Sequence, residues 1–398
     1  MSMVSDRILN MAESATLAMA AKAREYKAKG ISVISLSLGE PDFKTPKHIQ
    51  EGAKAAIDEQ KYFGYPPVNG YADVRQAISD KFKRDNNLDY SADQIVISNG
   101  AKQSIANVMM ALLNEGDEVI VFSPFWVSYS ALIELAGGTP VYVKGGIESD
   151  FKVTPDQLKA AITDRTKAVI YSSPCNPTGS VFTKEELTDL AVVIKEHENL
   201  VVIADEIYEL INYTGAHASM GAIEGMQERT VTINGMAKGF AMTGWRVGYI
   251  GAPTWLAKAC NKIQGQFTSA NCGIAQRAAL TALTSDLGPS HEMAAEYLRR
   301  RGVVKELLDS IPGVKTNLPQ GAFYFFPDVS AYFGKSDGET TIKNASELCI
   351  YILENAHVSL VTGEAFGDPD CIRLSYAASE ADLREAVRRI KETLSKLS

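Results

Sequence analysis

Long apolar runs, paired cysteines, nucleotide-binding fingerprints and long blocks of like charge are what this chain lacks. No apolar run approaches the roughly 20 residues that a membrane helix needs, so no spanning segment is expected. Lysine and arginine number 40 against 48 acidic residues, a net charge of −8 with the signs interspersed. That balance argues against a global attraction to nucleic acid or to an anionic membrane surface. The five cysteines (Cys175, Cys260, Cys272, Cys349 and Cys371) form no CxxC pair. Neither a disulfide framework nor a metal site is expected, and a reduced, cytoplasmic setting is the economical reading. GxGxxG and GxxxxGK[ST] are both missing, so dinucleotide and P-loop readings have no fingerprint.

What is present suits a folded protein. The chain has 398 residues, 45% of them hydrophobic, long enough for two domains of roughly 100–200 residues each. Candidate strands lie at 95–98, 119–123, 141–144, 168–172, 201–204, 230–233 and 247–250. Several are apolar on successive residues, as strands buried on both sheet faces should be. Between them, residues 104–113 place Ile105, Val108, Met109 and Leu112 at helical spacing. The alternation predicts an α/β fold whose mostly parallel, seven-stranded sheet is sandwiched by helices. One link breaks the pattern. Only residues 234–246 join the last two strands, barely enough for a parallel crossover, so the last strand is expected to run antiparallel. Residues 15–21, within reach of a signal peptide in length, follow the acids Asp6 and Glu13 and read as a helix. A long helix is expected after Pro289-Ser290. Strands at 321–326, 358–361 and 371–375 then suggest a smaller α+β domain. The boundaries expected are 1–46 for an N-terminal arm and part of the small domain, 47–289 for a large domain and 290–398 for the rest of the small one.

Six short segments have the residue types that chemistry uses. Lys238 follows a strand in the glycine-punctuated stretch Asn234-Gly-Met-Ala-Lys238-Gly-Phe-Ala-Met-Thr-Gly-Trp-Arg246. It reads either as a solvated loop lysine or as a Schiff-base amine beside an anion-binding arginine. In Ile95-Val-Ile-Ser-Asn-Gly100-Ala101-Lys102-Gln a glycine turn opens a helix, whose free N–H groups attract phosphate. Pro174-Cys-Asn176-Pro-Thr-Gly179 fixes a loop at the carboxyl end of a strand, where open α/β sheets place ligands. Asp205 ends an apolar strand, and burying its carboxylate is costly unless a cation meets it. A protonated ring nitrogen would answer that cost, with Tyr208 three residues on and the neighbouring Glu206 pointing elsewhere. Arg373 offers a carboxylate-matched fork inside a strand, and Phe125-Trp126 offers an aromatic plate that can stack on a flat ring. Each has an ordinary structural alternative: a turn, a cap, a surface arginine or a core aromatic.

Taken together and in order, Gly39-Glu-Pro-Asp-Phe43, Asn99-Gly-Ala-Lys-Gln103, Pro174-Cys-Asn-Pro-Thr-Gly179, Asp205-Glu-Ile-Tyr208, the Lys238…Arg246 stretch and Arg373-Leu-Ser-Tyr376 resemble the class I/II aminotransferases of pyridoxal-phosphate (PLP) fold type I. Ser14-Ala-Thr16 and Phe125-Trp-Val-Ser-Tyr129 look most like the prokaryotic-type aspartate aminotransferases. The resemblance spans nearly the whole chain. It implies that Lys238 is both cofactor anchor and catalytic base, that Asp205 pairs with the ring nitrogen and that Asn176 and Tyr208 address the ring hydroxyl. Trp126 would stack on the ring, while Arg246 and the Gly100-Ala101-Lys102 turn hold phosphate. Tyr65 would reach the phosphate of a neighbouring subunit, implying a homodimer. Arg373, Asn176 and the Gly39 backbone would take the substrate α-carboxylate. Lys102, Ser14 and Thr16 would line the distal end. Aspartate and 2-oxoglutarate are the expected substrates. Prephenate or aromatic acids, or a C–S β-lyase outcome, are the alternatives on the same fold. A PLP-binding regulator fits less well, because the motifs begin by Gly39 and the net charge is negative. One position departs from the pattern: Gly235 stands where many relatives carry a phosphate-binding serine.

Overall fold

The computed structural model describes residues 3–9, 11 and 13–398. Its strands in chain order are β1 (Ile34–Ser35), β2 (Ile95–Asn99), β3 (Glu118–Ser123), β4 (Thr139–Lys144), β5 (Thr166–Ser172), β6 (Val201–Asp205), β7 (Thr230–Gly235), β8 (Val247–Gly251), β9 (Tyr324–Phe325), β10 (Val358–Ser359), β11 (Val361–Thr362) and β12 (Ile372–Ser375). Seven of them form one sheet in the order β2-β8-β7-β6-β5-β3-β4. Strand β8 runs antiparallel to both of its neighbours, as the short connection before it requires. The other pairings in the sheet are parallel.

The continuous apolar runs divide between two cores with a period of two. Val119, Val121, Ala168, Ile170, Val201 and Ile203 pack into one cluster with the helix Ala101–Leu112. Ile120, Phe122, Val169, Tyr171, Val202 and Ala204 pack into the other with the helix Lys184–Lys195. Successive side chains leave a strand on opposite faces, so a strand covered by helices on both sides has no polar position. Each fully buried Val or Ile contributes roughly 1.5–3 kcal/mol. The helix Lys184–Lys195 starts where Thr183 and Glu186 close a capping box, each side chain accepting the other's backbone N–H, a pairing that satisfies two end donors.

A third cluster joins the long helix Gly288–Asp309 to the helices Ala345–Ala356 and Glu380–Leu394 and to the short strands near the C-terminus. Here the strands differ from expectation. Residues 358–361 do not form one strand: β10 pairs in parallel with β1, while β11 pairs with β12 in an antiparallel sheet that also holds β9. The chain crosses between the two sheets at the fully buried Leu360. Only Tyr324 and Phe325 of residues 321–326 join a ladder, because Ala322 takes a positive φ of 54°.

Candidate active site

The carboxyl ends of β5, β6 and β7 open on a cavity of about 510 Å³, within the range of small-ligand sites. Twelve of the residues singled out in the sequence line it: Ser14, Thr16, Gly39, Ala101, Lys102, Trp126, Asn176, Asp205, Tyr208, Lys238, Arg246 and Arg373. Gly100 lies behind the wall rather than on it. The remaining candidate, Tyr65, is not in the cavity at all: it is 98% exposed on the surface.

Asp205 ends β6 with its carboxylate buried. Its Oδ2 accepts from Tyr129 Oη at 2.7 Å, and Oδ1 accepts the Ile207 N–H at 3.3 Å. Burial pushes the carboxyl up to about 6 despite those hydrogen bonds. A cation brought to the carboxylate would restore the ionised form. Glu206 faces the other way, as expected: its Oε2 meets Ser219 Oγ at 2.7 Å and His217 Nε2 at 2.8 Å.

Lys238 lies just past β7 and donates to Gly39 O. Burial lowers its ammonium to about 8, and the Arg373 charge adds to the effect. Tyr208 and Phe323 present their rings to Nζ at 5.6 and 5.9 Å. A solvated loop lysine has none of these features, so that reading is set aside.

Arg373 on β12 is the largest fully buried side chain. Nη1 donates to Asn176 Oδ1 at 2.8 Å and Nη2 to Ser37 O at 2.6 Å, while Nε has no hydrogen-bond partner among the described residues. The guanidinium lies 4.6 Å from the Tyr324 ring and 4.8 Å from that of Phe366. A buried cation held only by neutral groups calls for an anion.

Arg246, exposed rather than buried, also meets neutral acceptors: it donates to Thr243 O and Asn99 O at 2.9 and 3.2 Å. It sits beside the N-terminus of the helix Ala101–Leu112, with Gly100 in the preceding turn. Strands β7 and β8 make room for that turn with facing glycines, Gly235 opposite Gly248. A Cβ on Gly248 would lie 2.1 Å from Ala101 N, and one on Gly235 would lie 2.7 Å from Val247 O. The missing serine therefore has a steric reason, since a side chain there would push against the β8 backbone. Lys102 completes the rim, its ammonium 5.1 Å from the Trp126 ring. Burial, with Arg246 nearby, lowers its pKa. Ser14 precedes the helix Ala15–Ala28, and the buried Thr16 Oγ1 has no partner among the described residues.

Four cations and two carboxylates, Asp205 and Glu40, therefore face one cavity in a chain of net charge −8. The acceptors that the cations find there are neutral carbonyls and one amide oxygen. These residues fit pyridoxal phosphate. The helix N-terminus with Arg246 suits a phosphate, Asp205 lacks a cation, Trp126 can cover a ring and Lys238 is partly neutral near pH 7. Arg373 remains for a second, smaller anion.

Two tyrosines escaped the sequence reading. Tyr129 reaches Asp205, and Tyr324 places its hydroxyl 2.7 Å from that of Tyr208. The first follows Trp126 by three residues, and their rings meet edge to face at 5.6 Å, but nothing in that stretch announces Asp205 as the partner of its hydroxyl. Tyr324 lies in the run Phe323-Tyr-Phe-Phe326 and reads as core.

Comparison with known proteins agrees with this geometry. Residues 31–390 match the family model for aminotransferases of class I and II. The chain is 44% identical over 396 residues to a bifunctional aspartate aminotransferase and glutamate/aspartate-prephenate aminotransferase of Petunia hybrida, covering 98% of this chain and 82% of the relative. It is 42% identical over 392 residues to an aspartate aminotransferase of a Bacillus species, covering 98% of each. Among solved structures, the aspartate aminotransferase of Rhizobium meliloti superposes with a TM-score of 0.96 at 39% identity, covering 100% of both chains. That of Thermus thermophilus with maleate gives 0.92 at 40% identity, covering 99% of this chain and 100% of the other.

Proposed function

Because the chain belongs to the class I and II aminotransferases, we propose that it uses pyridoxal phosphate to move an amino group between L-aspartate and 2-oxoglutarate by a ping-pong mechanism. The observation that carries this reading is the set of cations with neutral partners around Lys238 and Asp205. When bound, the cofactor supplies the electron sink that amino transfer needs. Lys238 Nζ anchors it and, once free, takes the proton from the substrate Cα as a base and returns it as an acid. Asp205 holds a proton on the ring nitrogen, and Tyr208 and Asn176 donate to the ring oxygen. Trp126 covers the ring, while Arg246 and the backbone of Gly100, Ala101 and Lys102 hold the phosphate. Arg373, with Asn176 and the Gly39 backbone, orients the α-carboxylate so that the Cα proton faces Nζ.

Lys102, Ser14 and Thr16 receive the distal carboxylate of a dicarboxylic substrate. Lysine is a point charge on a flexible stem rather than a rigid fork, and its ammonium rests on Trp126 rather than in an ion pair. A bulkier acid such as prephenate, named for the Petunia relative, is therefore a second acceptor to test. The working unit is a homodimer in which Tyr65 of each chain serves the other's phosphate site. The division at residues 1–46, 47–289 and 290–398 lets the small domain close on substrate and exclude water. Five free cysteines and the lack, among the described residues, of a helix able to cross a membrane are in keeping with a cytoplasmic location.

The test is to add pyridoxal phosphate and then a panel of amino acids to the purified protein, following the visible absorbance. A new band that aspartate and glutamate shift most strongly is expected; a protein that stays colourless overturns the reading. Lys102→Ala should weaken aspartate more than alanine by roughly tenfold or more, the loss of one charge-assisted hydrogen bond. Equal losses for both would remove Lys102 from substrate selection.

A further inference from the structure

Tyr324 is a hydroxyl where the local sequence otherwise supplies none. It lies between Phe323 and Phe325 in a fully buried run, where a phenylalanine would pack without the cost of desolvating a polar group. Among the described residues its Oη has one hydrogen-bond partner, Tyr208 Oη at 2.7 Å. Room for that hydroxyl is made by Gly39, since a Cβ there would lie 2.3 Å from Tyr324 Oη. The same tyrosine ring lies 4.6 Å from the Arg373 guanidinium. One side chain thus touches three groups: the cofactor-facing phenol, the carboxylate-binding arginine and the Gly39 loop whose carbonyl receives Lys238.

We propose that Tyr324 is a positioning residue that sets the direction of the Tyr208 proton. Each hydroxyl has one proton and the two oxygens share one hydrogen bond. If Tyr208 donates to Tyr324, its proton is spent inside the wall. If Tyr324 donates, the Tyr208 proton is free to point into the cavity, at the ring oxygen of a bound cofactor. An anionic oxygen there favours the second arrangement. The Tyr324 donation then polarises Tyr208 and strengthens its outward bond, as consecutive hydrogen bonds do. The inference rests on the cofactor reading above, and it assigns to Tyr324 a part in the electronics of the site in addition to packing.

The experiment uses the full-length, cofactor-loaded protein and reads the pH midpoint of its visible absorption band. Tyr324→Phe keeps the ring under Arg373 and removes only the hydroxyl. Its midpoint should rise by about half a pH unit, roughly threefold in proton affinity, because a weaker Tyr208 bond leaves the ring oxygen more basic. Tyr208→Phe should raise it further, and the double variant Tyr208→Phe/Tyr324→Phe should match Tyr208→Phe alone, the signature of two groups in one chain. KM for the amino acid should barely change, since Arg373 keeps its support. A midpoint unmoved by Tyr324→Phe, or two shifts that add in the double variant, overturns the proposal. Failure of the unaltered protein to acquire a visible band would instead overturn the cofactor reading itself.

Discussion

Replacing Lys81 with methionine should cost the protein roughly 3–4 kcal/mol of stability at neutral pH, through a charge cluster behind the active site. Lys81, on the helix Ala72–Asn86, forms an ion pair with Glu209, and both side chains are almost fully buried. Asn86 accepts from Lys81 Nζ at 2.5 Å and donates to Glu209 and Glu206 at 2.8 and 3.0 Å, while His217 and Ser219 hold Glu206. For Glu209 burial pushes the carboxyl up, but the charges of Lys81 and His217 and the hydrogen bonds outweigh it and hold the carboxyl below its ordinary range. Methionine keeps most of the stem and removes the ammonium. Glu209 must then stay ionised without its nearest cation, for which buried pairs show losses of about 3–5 kcal/mol, or take up a proton. Protonating a carboxyl with an unfolded value of about 4.3 costs about 3.7 kcal/mol at pH 7, and the stability that the depressed value lends the parent is lost with it. The lost bond to Asn86 adds about 1 kcal/mol, offset in part by the apolar contacts of the methionine.

The pH dependence identifies the cause. In the unaltered protein the depressed Glu209 value contributes stability above its unfolded value, and that contribution is lost as pH falls through the folded one. In Lys81→Met the folded value lies above the unfolded one, so the variant recovers relative to the parent on acidification. At pH 5.5 the protonation cost falls to about 1.6 kcal/mol. Equilibrium urea unfolding at pH 7 and pH 5.5, at fixed protein and cofactor concentration, measures both differences. The double variant Lys81→Met/Glu209→Gln should regain most of the loss, because no unpaired charge remains. An unchanged midpoint, or an equal loss at both pH values, refutes the reasoning.

Two further outcomes follow from the site. With Lys238 lowered to about 8 from an ordinary 10.5, about a tenth of it is neutral at pH 7. The rate at which the apoprotein develops the visible cofactor band should therefore climb with pH through about 8 and then level off; a climb centred near 10.5 would show that the enclosure of Lys238 does not act on its amine. Tyr65 tests the shared dimer. Sedimentation should report twice the 43.2 kDa chain, and mixing inactive Lys238→Ala with Tyr65→Ala subunits should generate hybrids with one intact site each and a gain in activity, whereas no gain on mixing would remove Tyr65 from the neighbouring site.

The central sheet was legible because most of its strands are buried on both faces, which writes several of them into the chain as unbroken apolar runs. Even the reversal of β8 was readable from the length of one connection. The short strands were not. Ile34–Ser35 pairs with Val358–Ser359 across more than three hundred residues, and two residues carry no periodicity that could announce such a pairing. The same contrast runs through the site. Asp205 and Glu206 are adjacent carboxylates, yet strand alternation sends the first into the cavity and the second into the cluster with His217 and Asn86. That division follows from the pleat and was expected. Tyr129 and Tyr324 could not be found in the same way, since a tyrosine in an apolar run satisfies the core with its ring whatever its hydroxyl does. What reveals the hydroxyl is its partner, and both partners, Asp205 and Tyr208, are more than seventy residues away. A charged group in an apolar setting has to be answered by something and so marks itself in a sequence, whereas a neutral hydroxyl that acts through another residue becomes visible only once the chain is folded.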